Sequence, residues 1–330
     1  VTQKTSFLKA DMTKDQNPPA NAPSAPPAIV NFPLPDDSHI QTFHLERANL
    51  RGRVVRLGKV MTDILAPLHY PEAVEKLVCE TATLSVLLAS MLKYEGVFIL
   101  QAQGDGPVTR LVSDMTSGGE LRATAGFDRE RIEKMETEHP NIHDLMGAGY
   151  LAFTVDQGEY MDRYQGIVQL QGESLQNSIH HYFSQSEQIG TAIKMAVGKD
   201  ETGAWRCGAI MLQHMPDHSG IPQDAKPIPE NWNRCQILLE TCKAEELLDP
   251  RLNDETLLYR LFHEEGIRVY PDQKATKGCR CTYEKLSGVL QLLSSEDREE
   301  SVADGKITMT CEFCNKDFCF SPDGKPAEDQ

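Results

Sequence analysis

Cys279-Arg280-Cys281 and, after 29 intervening residues, Cys311-Glu312-Phe313-Cys314 decide how this chain is read. A cysteine pair one or two residues apart can grip one metal ion from adjacent turns of backbone. Two such pairs supply four sulfurs, the donor set of a closed tetrahedral zinc site. Thiolates are soft ligands and select zinc or iron–sulfur over magnesium or calcium. Unrelated thiols are a poor account, because two short pairs near one terminus seldom arise by accident. A disulfide pair in a secreted protein needs an export signal, and the first forty residues carry no apolar signal core. The metal reading itself divides. The site either holds a small domain together, the commoner case, or is also a redox switch, since zinc thiolates oxidise to disulfides. The Cys-x-Cys half favours the switch, because structural zinc knuckles mostly use Cys-x-x-Cys on both sides.

Working outward, 330 residues hold one large domain and one or two small ones. Hydrophobic residues at 40% and charged residues at 25% fit an ordinary globular protein. A net charge of -16 opposes nucleic acid and anionic membrane surfaces as partners. The longest uncharged apolar run, Thr81 to Leu92, has 12 residues, short of the roughly 18 that span a bilayer. Nine cysteines in a chain without an export signal indicate a reducing, cytoplasmic setting, where short pairs mean metal or redox chemistry.

Residues 1–36 are rich in Pro and Ala from Asn17 to Pro35 and read as a solvated tail. His39 to Leu45 alternates as a strand does. Arg53 to Leu68 has helical spacing at Val54, Leu57, Val60, Met61, Ile64 and Leu65. Pro71 to Lys93 is the longest helix expected, with Pro71 in its first turn and Gly96 past its end. Its apolar positions read as core, and Cys79 beside them as a buried, inert thiol. Val97 to Gly126 reads as a three-stranded meander, with Gly104-Asp105-Gly106-Pro107 and Ser117-Gly118-Gly119 as turns. The glycine pair there lacks the Lys-Ser/Thr of a phosphate loop. His139 and His143 are four apart, but Pro140 interrupts them and no third ligand is near. Tyr150 to Asp156, Gly166 to Leu170, Thr191 to Val197 and Ala204 to Met215 read as strands, and Ser174 to Gln188 as a helix. No nucleophile motif accompanies His180 or His181. The mixture is α+β. Residues 216–229 mark a boundary, and Glu230 to Leu248 and Asn253 to Glu265 read as helices. That segment is too short to bury a core alone, so it must lean on the large domain or on the zinc module. Cys207, Cys235 and Cys242 read as packing thiols.

These residues together resemble the bacterial heat shock protein 33 family, the redox-regulated holdase chaperones. The resemblance spans about residues 38–320. The Cys279/Cys281 and Cys311/Cys314 spacing carries most of it. Leu121-Arg122-Ala123, Tyr164-Gln165-Gly166-Ile167-Val168, Tyr182-Phe183-Ser184-Gln185-Ser186-Glu187-Gln188 and Leu258-Tyr259-Arg260-Leu261-Phe262-His263 support it, as does the Gly104 turn.

The family likeness implies an α+β, largely antiparallel core chaperone domain at 37–225. It further implies a redox-sensitive helical linker at 226–278, a zinc-binding switch domain at 279–320 and a tail at 321–330. It implies one zinc per reduced chain, held by Cys279, Cys281, Cys311 and Cys314, in a protein that is not an enzyme. On oxidation the implied disulfides join Cys279 with Cys281 and Cys311 with Cys314. Zinc then leaves, the linker unfolds, and a homodimer holds unfolding client proteins without ATP. Two features depart from the family pattern: the tail of about 36 residues, and Cys319, a further thiol that could substitute as a ligand. A zinc-ribbon module for nucleic acid or a protein partner is the alternative. A zinc hydrolase fits poorly, because four cysteines leave no position for an activated water.

Overall fold

Thirteen of the 18 residues of the helix Glu72–Ala89 are buried, and the run from Thr81 to Ala89 is buried without a break. A helix covered on every side must lie inside the molecule rather than on its surface. The computed structural model, which describes residues 37–137, 139–157, 164–187, 189–214 and 230–327, places this helix between two β-sheets. The predicted solvated tail at 1–36 and the boundary at 216–229 lie outside the described residues.

The elements are β1 (His39–Leu45), β2 (Leu50–Leu57), α1 (Lys59–Leu65), α2 (Glu72–Ala89), β3 (Val97–Gly104), β4 (Val108–Thr116) and β5 (Glu120–Phe127). There follow α3 (Arg129–Glu133), α4 (Ile142–Met146), β6 (Gly149–Asp156), β7 (Tyr164–Gln169), α5 (Leu175–Tyr182), a π-helical turn, β8 (Thr191–Lys199) and β9 (Trp205–His214). The remainder comprises α6 (Glu230–Glu240), α7 (Ala244–Leu248), α8 (Asp254–Phe262), a 3-10 turn, β10 (Ile267–Val269), β11 (Gln273–Lys274), β12 (Thr276–Lys277), α9 (Tyr283–Leu292), α10 (Ser295–Glu300), β13 (Ile307–Thr310) and β14 (Asp317–Phe320). One sheet has the order β10-β1-β2-β9-β8, with β11 also paired to β1. The other has the order β12-β5-β4-β3-β6-β7, antiparallel except where β12 runs parallel to β5. The fold is the predicted α+β, largely antiparallel.

Val55, Leu57 and Met211 of the first sheet and Leu100, Leu111 and Leu121 of the second meet α2 in one core. Its buried threonine hydroxyls are satisfied within the helix, Thr81 donating to the Leu77 carbonyl and Thr83 to that of Cys79, both at 2.7 Å, while the buried Ser85 donates to the Ser113 carbonyl of β4. The far face of the first sheet is covered by α6, α7 and α8. Phe43, Leu45, Val54, Ile210 and Leu212 pack there against Cys235, Leu239, Leu257, Leu258 and Phe262. Phe43 stacks on Phe262 with ring centres 6.2 Å apart. Gly52, opposite Phe43 across the β1–β2 ladder, makes room for that ring, since a Cβ there would lie 2.1 Å from Phe43 Cζ. The linker segment therefore leans on the large domain.

Four local readings change. Arg53 to Leu57 is strand, not helix, and only Lys59–Leu65 is helical. Val54 faces the linker while Val55 and Leu57 face α2, so both faces are covered and the strand lacks alternation. Helix α2 ends at Ala89 and Pro71 is its N-cap; Gly96, at φ +132, instead serves the turn before β3. Glu230 to Leu248 is two helices, broken between Glu240 and Ala244. Residues 321–327, assigned to a tail, fold back instead: the Ala327 N–H donates to the Cys319 carbonyl at 2.9 Å.

The linker is also fastened by charge. Asp254, almost wholly buried, accepts from Arg56 Nε at 2.8 Å and meets His39 Nε2 at 2.7 Å. Arg56 donates further to the carbonyls of Leu247 and Asp249. The hydrogen bond to Asp254 raises the His39 imidazole above its usual range, against the opposing effect of burial. Burial works against the Asp254 carboxylate, but His39 and Arg56 outweigh it and hold it below its usual range. A raised histidine contributes its full stabilisation below its unfolded value of about 6.5 and loses it as pH climbs through the raised value. Proteolysis of α8 should therefore quicken as pH is taken from about 6 to about 9. Asp254→Ala, which strands Arg56, should weaken linker docking by about 3–5 kcal/mol and remove that pH dependence. Cleavage rates independent of both would contradict this role.

Candidate metal centre

Each cysteine pair is set by a turn between two short elements. Cys279 and Cys281 lie between β12 and α9, whose N-cap Thr282 accepts from the Lys285 N–H at 3.3 Å. Cys311 and Cys314 lie in the turn that joins β13 to β14. There the Asn315 N–H donates to the Cys311 carbonyl at 2.8 Å, with Asn315 at φ +54, a left-handed position that Asn tolerates. The hairpin and α9 enclose Leu290, Ile307, Phe318 and Phe320, with Tyr283 edge-on to both phenylalanine rings.

The four sulfurs lie within 4.8 Å of one another. Cys279 and Cys281 are 3.3 Å apart, Cys281 and Cys314 3.5 Å, and Cys279 and Cys311 3.7 Å. A tetrahedral ion at about 2.3 Å from each sulfur would set them roughly 3.8 Å apart. A disulfide would need about 2.05 Å. The separations thus suit four thiol donors converging on one ion, and the cluster could hold a metal. Among the described residues no other group of three or more such donors comes together. Burial opposes the Cys279 thiolate, yet a backbone donation from Cys281 and the thiols of Cys281, Cys314 and Cys311 bring it down to about 7. Burial and the neighbouring sulfurs push Cys281 up, and burial pushes Cys314 up. Of these three sulfurs, that of Cys279 therefore carries charge most readily.

Cys319 is on β14 with its sulfur 3.9 Å from Thr308 Oγ1, outside the cluster. His139 and His143 are exposed, beside or within the Asn141-capped α4, and join no donor group. Cys79, Cys207, Cys235 and Cys242 are buried in apolar clusters. Burial pushes Cys235 and Cys242 each up to about 11.

The spacer residues of both motifs reach the outer face of β4 and β5. Arg280 pairs with Asp114, whose other carboxylate oxygen accepts from Arg122 Nε at 2.8 Å. The Arg122 guanidinium lies 3.9 Å from the Phe313 ring centre. Thr124 Oγ1 donates to the Glu312 carbonyl at 2.9 Å, and Arg110 pairs with the Glu312 carboxylate at 2.7 Å. Asp114 had no assigned role in the sequence, nor did Arg122 beyond its place in a family-like stretch. The available signal is parity: Arg110 and Asp114 share one face of β4, and Arg122 opposes Asp114 across the ladder.

The Hsp33 protein family model matches residues 38–321. The 33 kDa chaperonin of Caulobacter vibrioides (strain NA1000 / CB15N) is 39% identical over 296 residues, covering 87% of this chain and 96% of the relative. That of Pseudomonas fluorescens (strain SBW25) is 36% identical over 290 residues, covering 87% and 92%. The crystal structure of the 33 kDa chaperonin from Thermotoga maritima matches with a TM-score of 0.70 at 20% identity, over 87% of this chain and 96% of that one, and shows the shared fold. An α+β core with a four-thiol module and relatives of this kind defines a chaperone rather than an enzyme. The chain belongs to the Hsp33 family.

The reduced protein should bind one metal ion per chain. A share of roughly 3 kcal/mol per sulfur is about 100-fold in affinity, so Cys281→Ser should weaken binding by about that factor. Cys319→Ser should leave it unchanged. A chelator competition in which Cys319→Ser behaves like Cys281→Ser would contradict the ligand assignment.

Proposed function

We propose that this protein is an ATP-independent holdase chaperone switched on by oxidation of Cys279, Cys281, Cys311 and Cys314. In this reading 37–225 is the chaperone core, 226–278 the redox-sensitive linker, and 279–320 the switch, in a cytoplasmic protein. The observation that carries it is the convergence of four sulfurs in a module whose apolar core is only a handful of side chains. Zinc is the ion that four thiolates favour, and when bound it would cross-link the module with about 10–16 kcal/mol of apparent folding free energy.

The chain's own thiols do the switching. A thiolate attacks peroxide to give a sulfenic acid, and its neighbour condenses with that sulfur. The products are the Cys279–Cys281 and Cys311–Cys314 disulfides. Each pair gives up two protons and two electrons, and hydrogen peroxide leaves as two waters. The 3.3 Å approach of Cys279 to Cys281 favours the first of these bonds. Oxidised sulfurs no longer hold an ion, so the module loosens and the linker follows. Undocking of α6 to α8 bares Phe43, Leu45, Ile210 and Leu212 on the sheet and Leu257, Leu258 and Phe262 on the linker. Exposed apolar surface of that kind binds unfolding clients and supports a homodimer. The charge of -16 keeps such complexes dissolved and disfavours nucleic acid or anionic membrane as partners.

Peroxide-treated protein should suppress light scattering by a denatured client, and the reduced, metal-loaded protein should not. Thiol reductant with zinc should restore the inactive form. Equal suppression by both forms would contradict the switch, and loss of ATP-independence would contradict the holdase assignment.

A further inference from the structure

The residues between the cysteines are as informative as the cysteines. Arg280 is the spacer of the first motif, and Glu312 and Phe313 are those of the second. All three touch β4 or β5. We propose that they form a positioning latch, anchored on Asp114, through which the state of the four thiols reaches the large domain. The proposal rests on the redox-switch reading and adds how the switch is transmitted.

Asp114 is the centre of this contact. It lies on the outward face of β4, on the side opposite Leu111 and Met115 of the core. An outward carboxylate is normally solvated, yet this side chain is only 3% exposed. Arg122 covers one of its oxygens and Arg280 the other. Removing either partner from a buried ion pair leaves the remaining charge uncompensated, so the contact depends on both arginines. Phe313 lies over the Arg122 guanidinium and shields the group from water, a cation–π contact at 3.9 Å. Arg110 with Glu312 is an exposed pair and contributes little. Arg280 also keeps Nη1 buried without a partner, so its hold is incomplete. An incomplete hold is one that a small displacement can end.

Backbone contacts extend the latch to the linker. The Gly278 N–H donates to the Leu121 carbonyl at 3.0 Å, and a Cβ at Gly278 would lie 2.6 Å from Glu120 Cβ. Strand β12 thus enters flush against β5 immediately before Cys279. Upstream, the Ala275 N–H donates to the Ser38 carbonyl at 2.9 Å, β11 pairs with β1, and β10 follows α8 after a single 3-10 turn. The linker's C-terminal end is therefore sewn into both sheets, and the latch closes the seam.

Oxidation must disturb this contact. Each disulfide forms when a cysteine pair loses two protons and two electrons to the peroxide. The new bond closes a small ring with the latch residues inside it: Arg280 in one, Glu312 and Phe313 in the other. Cys279 and Cys281 must close from 3.3 Å to about 2.05 Å. The single residue between them absorbs the change, and Arg280 swings away from Asp114.

The test uses the full chain, reduced and zinc-loaded, as wild type, Arg280→Ala, Phe313→Ala and Arg280→Lys. Two readouts are taken beside client protection: zinc and free thiols per chain, and the rate of protease cleavage in the linker. The latch predicts that Arg280→Ala and Phe313→Ala keep one zinc and all four thiols, yet are cleaved in the linker at least tenfold faster than wild type. Both should also protect clients without oxidant, and Arg280→Lys, which keeps a cation on Asp114, should stay close to wild type. Linker cleavage at the wild-type rate in both alanine variants, with zinc retained, overturns the latch. Peroxide-treated wild type is run alongside. Its failure to protect clients overturns the redox-switch reading, while the cleavage rates of the reduced variants still decide the latch.

Discussion

Four sulfurs stand in for a hydrophobic core in the C-terminal module. Leu290, Ile307, Phe318 and Phe320 with their half-buried neighbours are too few to hold that stretch of chain folded. The sulfur cluster joins the β12–α9 junction to the β13–β14 turn, beside the small apolar contact of α9 on that hairpin. A fold that leans this heavily on one cluster can be undone there. Under the proposed function the same dependence makes the module responsive, because thiolate sulfur is readily oxidised.

The large domain is covered on its two outer faces in different ways. Linker helices cover the first sheet through aliphatic and aromatic packing around Phe43 and Phe262, pinned by Arg56 and Asp254. The module covers the β4–β5 face through charge, around Asp114. Apolar packing confers much of the stability, and a buried ion pair confers dependence on every partner being in place. The short strands β10, β11 and β12 run between these covers and pair with β1 and β5. An event at the sulfurs thus has a continuous physical route to the linker. Release of that linker uncovers the surface that binds clients under the proposed function.

Much of this was legible in the chain. Cysteine spacing located the cluster because ligand geometry constrains sequence locally. Alternation and turn residues located β1 and the β3–β4–β5 meander for the same reason. Arg53 to Leu57 was misread because a strand buried on both faces has no polar alternation, and its apolar positions happen to fit a helical period across Gly58. Helix α2 was legible as core, but its burial on all sides was not, since Thr81, Thr83 and Ser85 are polar residues of a kind that is mostly exposed. Their hydroxyls bond to carbonyls inside the structure, which local sequence does not reveal. Asp114, Arg122 and Arg280 were missed because 166 positions separate Asp114 from Arg280, and pairing over that distance is a property of the fold.

Hydrogen exchange read by mass spectrometry, on the reduced zinc-loaded chain and on the same chain with its metal removed by chelator, tests the central claim most directly. The account predicts that residues 279–320 lose protection, that α6 to α8 and β12 lose it with them, and that α2 keeps it. Unchanged protection of both the module and the linker after metal removal would contradict it.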